Sequence, residues 1–258
     1  MRLLTLNVNG IRSAGRCGLW RVLEKYSIDV ACFQEVRGNL YTHLQDDHRW
    51  SQFVGARSHI ANHYGVGTVS NAPLTLLTPP ITVDSKTFTG RIVGAKLSCG
   101  IQVWNIYAPT IIEKDTDQFI LTFWDKMLDL ASGWIEKPSI ICGDFNLIAS
   151  SLDIHPSLSH SRRQTLPVQH QIFDRLLSQG WIDCWRSHHP SESQYTYWST
   201  RMKDLRVENR GLRLDYILCS PHLQDDIQQA SILQVDSSMS DHCPVMIEFT
   251  VPLSLKNS

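Results

Sequence analysis

Ser139-Ile140-Ile141-Cys142-Gly143-Asp144-Phe145-Asn146 is the stretch from which the rest of the sequence can be interpreted. The apolar run before Gly143 predicts a buried strand, and Asp144 and Asn146 follow where that strand ends. Strand ends often carry functional side chains, because a rigid scaffold holds them while the loop beyond is free to vary. Gly, Asp and Asn are also ordinary turn residues, and the tetrapeptide at 143–146 taken alone favours a turn. Other polar clusters in the chain change that balance.

Four further polar clusters occupy equivalent places along the sequence. They are Asn7 with Asn9 after a strand at 3–8, Glu35 after a strand at 28–33, Asp215 inside a strand at 214–219, and Asp241-His242 before a last strand at 245–251. Because strand ends can meet at one edge of a sheet, these groups could converge with Asp144 and Asn146. Asp215 interrupts an apolar run, so we expect it to be half-buried beside a partner, either a His or Arg213.

The segments between these strands alternate helical and extended patterns. The sequence predicts a short helix at 18–27, amphipathic helices containing residues 119–128 and 168–177, a strand at 63–70, and a hairpin of 91–97 with 101–107. No change of composition and no low-complexity run divides the chain, so we predict one domain over residues 1–258.

The polar clusters have the chemistry of a divalent-metal site. Oxygen ligands without cysteine suit Mg²⁺ or Mn²⁺ better than zinc. Glu35 is the best candidate ligand, since a charge at the end of an apolar run is otherwise costly; a solvated strand end is the alternative. Such a site suits hydrolysis of a phosphate ester, in which a carboxylate activates water and a cationic His stabilises the developing charge.

Composition limits the possible partners and compartments. The 258-residue chain has a formal net charge of -1, so a nucleic-acid partner would need a local basic patch. The seven cysteines are dispersed, which is typical of reduced thiols rather than a disulfide framework. The first residues are too polar for a signal peptide, and no apolar run approaches the length needed to span a membrane. We therefore predict a soluble intracellular protein without a membrane partner.

Six short motifs follow one another between residues 6 and 244. They are Leu6-Asn7-Val8-Asn9-Gly10-Ile11-Arg12, Gln34-Glu35, Asn105-Ile106-Tyr107-Ala108-Pro109, Gly143-Asp144-Phe145-Asn146, Arg213-Leu214-Asp215-Tyr216 and Ser240-Asp241-His242-Cys243-Pro244. Their order and content resemble the endonuclease/exonuclease/phosphatase superfamily. The string 209–215 is most similar to the exodeoxyribonuclease III branch of abasic-site (AP) endonucleases. The whole also resembles the AP-type endonuclease domain of LINE retrotransposons.

The resemblance implies a fold and a role for each matching residue. The implied fold is an α/β, four-layer sandwich in which two packed mixed β-sheets are flanked by helices. The implied metal ligands are Glu35, with Asp241, Asn7 and Asn9 nearby. The implied catalytic residues are Asp144, which positions or deprotonates water; Asn146, which holds the water or the phosphate; His242, which contacts the phosphate; Asp215, which orients His242; and Tyr107, which donates to the phosphate.

A basic loop at 201–213 is the predicted DNA surface. It carries Arg201, Lys203, Arg206, Arg210 and Arg213 against two acidic residues, just after the aromatic residues Tyr195, Tyr197 and Trp198. Cations beside aromatic rings suit contact with a nucleic-acid backbone and stacking on a base or sugar. The resemblance implies that an aromatic near Tyr197 and the bulky Leu212 form an abasic-sugar pocket. The alternative is a solvated loop beside core aromatics.

The leading prediction is a monomeric, Mg²⁺-dependent endonuclease acting on double-stranded DNA. Cleavage at abasic sites for repair and nicking of a target by a LINE element remain open, because they differ in substrate selection and not in chemistry. A second possibility is another phosphoesterase of the superfamily, acting on inositol phosphates, sphingomyelin or RNA. A third is a nucleic-acid-binding module without activity.

Overall fold

The computed structural model describes residues 1–38, 50, 52–57, 65–77, 90–110, 117–159, 166–202 and 204–250. The strands in these ranges are β1 (Arg2–Asn7), β2 (Val30–Gln34), β3 (Gln52–Arg57), β4 (Gly65–Ser70), β5 (Leu74–Leu77), β6 (Ile92–Leu97), β7 (Gln102–Tyr107), β8 (Ser139–Asp144), β9 (Ile182–Asp183), β10 (Asp215–Cys219), β11 (Ile227–Ile232) and β12 (Val245–Phe249). The α-helices are α1 (Ile11–Arg16), α2 (Leu19–Lys25), α3 (Asp117–Trp134), α4 (Pro156–Ser159), α5 (Leu166–Ser178) and α6 (Cys184–His188). Short 3₁₀ helices cover Ser151–Asp153 and Pro221–Asp226.

The strands form two six-stranded mixed sheets. The first has the order β11-β12-β1-β2-β4-β3, and the second has the order β5-β6-β7-β8-β10-β9. Each sheet contains one central parallel pair, β1 with β2 and β7 with β8, between antiparallel neighbours. In register, Asn7 lies beside Gln34 and Tyr107 lies beside Asp144, so each parallel pair ends on polar residues at one edge of its sheet.

Alternation along the strands builds the layers. Leu3 joins the hydrophobic cluster shared by both sheets, whereas its neighbour Leu4 joins the cluster beneath α1 and α2. On the second sheet, Ile140 belongs to the shared cluster and Ile141 to the cluster with α3 and α5. Fully burying one such side chain contributes about 1.5–3 kcal/mol. The result is two packed mixed sheets with helices outside, which confirms the fold implied by the family resemblance.

Most of the predicted elements are present with shifted ends. The helix predicted at 18–27 is Leu19–Lys25, and the amphipathic helices extend over Asp117–Trp134 and Leu166–Ser178. Residues 63 and 64 of the strand predicted at 63–70 lie outside the described residues, and the rest of it is β4. The helix α1, which starts directly after Gly10, is an addition to the predicted elements. Among the described helices, none is long and apolar enough to cross a bilayer.

Candidate active site

The motif at 143–146 joins the second sheet to its helical layer. Gly143 has φ 140°, and a Cβ atom there would lie 1.9 Å from the carbonyl oxygen of Ile106 on the neighbouring strand, so only glycine fits. Phe145 is fully buried and packs its ring 5.6 Å from Trp124 and 5.2 Å from Tyr216 between ring centroids. Glycine and phenylalanine therefore anchor the turn, and the polar residues of the motif are held at the sheet edge.

Asp144 and Asn146 are held by backbone as well as side-chain bonds. The backbone N–H of Asn146 donates to Asp144 Oδ1 at 3.0 Å, and Asn146 Nδ2 donates to the carbonyl of Ala108 at 2.9 Å. Asn146 has φ 48°, a left-handed conformation that asparagine adopts more readily than most residues. The turn thus fixes the Asp144 carboxylate in place while burying it almost completely.

Asp215 and His242 form a buried dyad beside Asp144. Asp215 Oδ2 lies 2.8 Å from His242 Nδ1, so the partner left open by the sequence is the histidine and not Arg213. Thr196 Oγ1 accepts the backbone N–H of Asp215 at 3.2 Å, which fixes the carboxylate-bearing residue. The other ring nitrogen, Nε2, lies 3.9 Å from Asp144 Oδ2. The dyad therefore orients one imidazole nitrogen towards the second carboxylate.

The electrostatic balance sets the protonation states of these three groups. Burial lowers the pKa of His242, but the Asp215 carboxylate outweighs it and raises that pKa to about 10. Burial and the like charge of Asp215 raise the pKa of Asp144 to about 7, against the lowering effect of His242. At neutral pH His242 is therefore a cation, and Asp144 is close to its midpoint.

Glu35 lies across the cleft, on the first sheet. Asn7 Nδ2 donates to Glu35 Oε1 at 3.0 Å and to Asp144 Oδ2 at 2.9 Å, so one amide joins the two sheets. The Tyr107 hydroxyl donates to the same Glu35 oxygen at 2.9 Å. Burial raises the pKa of Glu35, but the bond from Asn7 and the charge of Arg37 outweigh it, and the net shift is downward. Glu35 is accordingly an anion throughout the physiological range.

Asn9 and Asp241 extend this arrangement to the exposed rim. Asn9 Nδ2 donates to Asp241 Oδ1 at 3.1 Å, and the Asn9 backbone N–H donates to Asn7 Oδ1 at 3.0 Å. Because Asn7 also donates to Glu35, a continuous chain of hydrogen bonds joins all four residues predicted to surround a metal. The structure therefore brings the predicted ligand set together at one end of the two sheets.

The donor chemistry fits a divalent cation. Glu35 supplies an anionic oxygen at the rim, and within the described ranges one further group of possible ligands stands out: Asp144, Asp215 and His242, whose ligand atoms lie within 4.8 Å of one another. Asp215 Oδ1 is buried without a hydrogen-bond partner in the described part of the chain. Carboxylate oxygens with one imidazole are ligands that Mg²⁺ and Mn²⁺ accept.

Two residues that hold the site were not singled out in the sequence. Ser240 Oγ donates to the Asn7 carbonyl at 2.7 Å and accepts the backbone N–H of His242 at 3.1 Å, which ties the histidine segment to β1. Arg37 forms an ion pair with Glu35. Ser240 could have been found from the sequence, because it lies inside one of the six motifs. The Arg37 contact could not, because it depends on the left-handed turn at Glu35, φ 48°, which no sequence pattern predicts.

Three of the predicted DNA contacts lie where DNA could reach them. Tyr197 is half-buried with its ring centroid 4.8 Å from that of His242, Arg201 is exposed, and Arg210 is partly exposed, with hydrogen bonds to Ser157 and Glu208. Leu212 is buried and packs with other aliphatic side chains. Lys203 lies outside the described residues.

Arg213 corrects the predicted DNA surface. It is 1% exposed, donates to Asp153 Oδ1 at 2.6 Å and pairs with Asp183 at 2.8 Å, so it is a core ion and cannot contact a backbone phosphate. Arg206 also faces inward, because its Nη atoms donate to the carbonyls of Ser240 and Val235 at 2.8 and 2.7 Å. Both arginines stabilise the loop, and the charge available to DNA in this loop is smaller than the residue count suggested.

The fold and the site define the class of protein. A carboxylate-oriented imidazole, a second buried carboxylate and an anionic rim at the edge of two packed sheets are the parts of a phosphoester-hydrolase centre. Residues 4–242 match the family model described as "Endonuclease/Exonuclease/phosphatase family". The chain belongs to this family, which confirms the resemblance drawn from its six motifs.

Individual relatives extend over nearly the whole chain. An exodeoxyribonuclease of Bacillus subtilis is 27% identical, covering 95% of this chain and 98% of its own length. A DNA-(apurinic or apyrimidinic site) endonuclease of Dictyostelium discoideum is 25% identical, covering 95% of this chain and 69% of its own length. An AP endonuclease structure from Archaeoglobus fulgidus superimposes with a TM-score of 0.85 at 23% identity, covering 97% of this chain and all of that one, and so has the same fold.

Proposed function

We propose that this protein is a divalent-metal-dependent phosphodiesterase that cuts double-stranded DNA at abasic sites. The observation that carries the proposal is the Asp215–His242 dyad, 2.8 Å apart and facing Asp144 within one cleft. The names of the relatives from Bacillus subtilis and Dictyostelium discoideum support DNA as the substrate class. The half-buried Tyr197 ring lies 4.8 Å from the His242 ring between centroids, and Arg201, four residues further along the chain, is exposed and could contact a DNA backbone.

His242 is the group that stabilises charge on the phosphate. Its Nδ1 is occupied by Asp215, so Nε2 is the ring nitrogen that can donate to a phosphate oxygen. Because its pKa is raised to about 10, the ring stays cationic while negative charge builds up in the transition state. Asp215 keeps the ring oriented and is a positioning residue.

Asp144 is the general base. Its pKa of about 7 places it near the optimum for removing a proton from the attacking water at neutral pH. Because the pKa of His242 is raised above that of Asp144, the base form of Asp144 and the acid form of His242 can be present together, as the proposed reaction requires. Asn146 holds the carboxylate through its backbone N–H.

Glu35 and Tyr107 form the anionic and neutral sides of the rim. Burial raises the pKa of Tyr107 far above its usual range, so its hydroxyl remains a donor at every working pH. Glu35, with Asn7, Asn9 and Asp241 around it, would hold Mg²⁺ or Mn²⁺, which neutralises phosphate charge when bound. The charge of Glu35 is thereby balanced during catalysis.

Two labelled duplexes test the proposed substrate. One carries a central abasic-site analogue and the other is intact, and both are incubated with Mg²⁺ and with EDTA. We expect Mg²⁺-dependent cutting at the abasic position alone. Nicking of the intact duplex at preferred steps would instead indicate target selection by DNA shape, the behaviour predicted for a retroelement endonuclease. Binding of the abasic duplex without cleavage in Mg²⁺ would reject an enzymatic role.

Glu35→Gln tests the metal site. The change keeps the size and a hydrogen-bond acceptor but removes the anion, so we expect the Mg²⁺ concentration for half-maximal activity to rise by about 10- to 100-fold. Titration of cleavage against Mg²⁺ measures the shift. Glu248→Gln is the matched control, since Glu248 pairs with Arg2 at a partly exposed position on β12. Normal cutting by Glu35→Gln at low Mg²⁺ would remove Glu35 from the ligand set.

A further inference from the structure

A buried polar cluster lies between the two sheets, directly behind the active site. Four polar side chains with no exposed surface lie among the apolar residues of the interface: Thr5, Gln34, Thr68 and Asn105. Burying amides and hydroxyls between two sheets costs free energy unless they bond one another. Their position next to the catalytic cleft therefore calls for a physical reason.

Gln34 and Asn105 connect the sheets through their side chains. Gln34 Nε2, on β2, donates to Asn105 Oδ1, on β7, at 2.7 Å, and also to Thr5 Oγ1 at 3.0 Å. Asn105 Nδ2 donates back across the interface to the carbonyls of Phe33 and Gly67 at 3.2 and 3.0 Å. Apolar burial is non-directional, whereas these hydrogen bonds are directional and help to fix the relative position of the two sheets along the strands.

The same two strands carry the rim of the site. Glu35 directly follows Gln34, and Tyr107 lies two residues beyond Asn105 on the same face of β7. Neighbouring strand residues normally point to opposite faces, yet Gln34 reaches Asn105 and Glu35 reaches Tyr107. The left-handed backbone of Glu35, φ 48°, produces this arrangement, and a non-glycine residue keeps such a conformation only where its surroundings enforce it.

We propose that the Gln34–Asn105 hydrogen bond is a positioning device that sets the Glu35 carboxylate against Tyr107, and thus sets the metal-binding rim. The proposal rests on the function proposed above. Neither residue touches substrate, so both act through their neighbours on the strands. In the described part of the chain Gln34 Oε1 has no hydrogen-bond partner, so the buried amide of Gln34 is only partly satisfied. A partly satisfied buried amide contributes little to the stability of the fold, so it fits a role in positioning Glu35 better.

Gln34→Met and Asn105→Leu test the proposal, because both replace the amide with an apolar side chain of similar length. We expect Mn²⁺ binding to the protein alone, measured by electron paramagnetic resonance, to weaken about tenfold. We expect kcat to fall by about 10- to 100-fold, with KM for DNA within about twofold of the wild-type value. A combined Gln34→Asn and Asn105→Gln variant keeps both amides and the total chain length, and should recover Mn²⁺ affinity.

Gln179→Met is the matched control, since the half-buried Gln179 amide donates to the Leu128 carbonyl at 3.1 Å in the helical layer. It should lose a similar amount of thermal stability and keep Mn²⁺ affinity and kcat.

Wild-type Mn²⁺ affinity and kcat in Gln34→Met would overturn the proposal, as would equal losses in Gln179→Met. If Gln34→Met does not fold, Gln34→Asn with its shortened amide takes its place under the same criteria. A wild-type protein that cuts no DNA, with Mn²⁺ binding still weakened in Gln34→Met, would reject the substrate and support the positioning role.

Discussion

Replacing His242 with asparagine is expected to lower kcat for duplex cleavage by at least about three orders of magnitude. The substitution removes the cation proposed to face the phosphate and leaves Asp215 without the partner it holds at 2.8 Å. A single positioned acid–base or charge-stabilising group contributes about 10²- to 10⁴-fold to the rate, and here one residue supplies the charge next to the general base. Single-turnover cleavage of the abasic duplex in saturating Mg²⁺ measures the loss.

DNA binding separates this loss from misfolding. The dissociation constant of the His242→Asn variant in EDTA should stay within about threefold of the wild-type value, because His242 is buried and one contact among several. His188→Asn is the control, since His188 is an exposed residue at the end of α6 whose ring contacts Ser187. Turnover by His242→Asn at the rate of His188→Asn would reject the assigned role.

Replacing Asp153 with asparagine is expected to lower the free energy of unfolding at pH 7 by about 3–5 kcal/mol. Asp153 is fully buried and accepts Arg213 Nε at 2.6 Å, and it also pairs with Arg186. The amide leaves the buried Arg213 charge with only Asp183 to balance it, and an uncompensated buried charge is costly. Urea unfolding followed by circular dichroism measures the difference.

The pH dependence of this difference follows from the pKa of Asp153. Burial raises that pKa, but Arg213 outweighs it, and the net shift is below the usual value. A depressed pKa means that the stabilisation is complete above the unfolded-state value, about 3.9, and is lost as the pH falls through the folded-state value. The gap between wild type and Asp153→Asn should therefore be largest at neutral pH and shrink below about pH 4.

An exposed ion pair supplies the control for this experiment. Asp125 pairs with Arg175 at 2.9 Å on the helical surface, with both side chains more than half exposed. Asp125→Asn should cost less than about 1 kcal/mol, because solvent screens such pairs. If Asp153→Asn were no more destabilising than Asp125→Asn, the buried network would not be a source of stability.

Individual strands and helices were predictable because their signals are local, whereas the two-sheet architecture came from the family resemblance. Apolar runs that end in polar residues predicted β1, β2 and β8, the apolar run around Asp215 predicted β10, and helical periodicity predicted α3 and α5. The possible convergence of Asn7, Glu35, Asp144 and His242 was inferred from their places at strand ends, and hydrogen bonds and short contacts do bring these four side chains together.

Partners distant in sequence could not be predicted in the same way. Arg213 was placed on the DNA surface because it stands in a basic loop, and its true partner Asp153 lies 60 residues earlier. The sequence left both a histidine and Arg213 as possible partners for Asp215, because hydrophobic periodicity predicts that a residue is buried but does not predict which side chain it contacts. The left-handed turn at Glu35 was also missed, because no residue preference announces that conformation for glutamate.

Because β1 lies in the centre of its sheet, the first sheet of this enzyme cannot be completed until β12 has been synthesised. β1 pairs on one side with β12, and Ser240 bonds Asn7 across 233 residues of chain. A nascent chain on the ribosome has neither His242 nor β12, the strand that pairs with β1, until residues 242–249 have been synthesised. We therefore expect a product that stops before residue 240 to lack nuclease activity, and its unpaired β1 edge to favour aggregation.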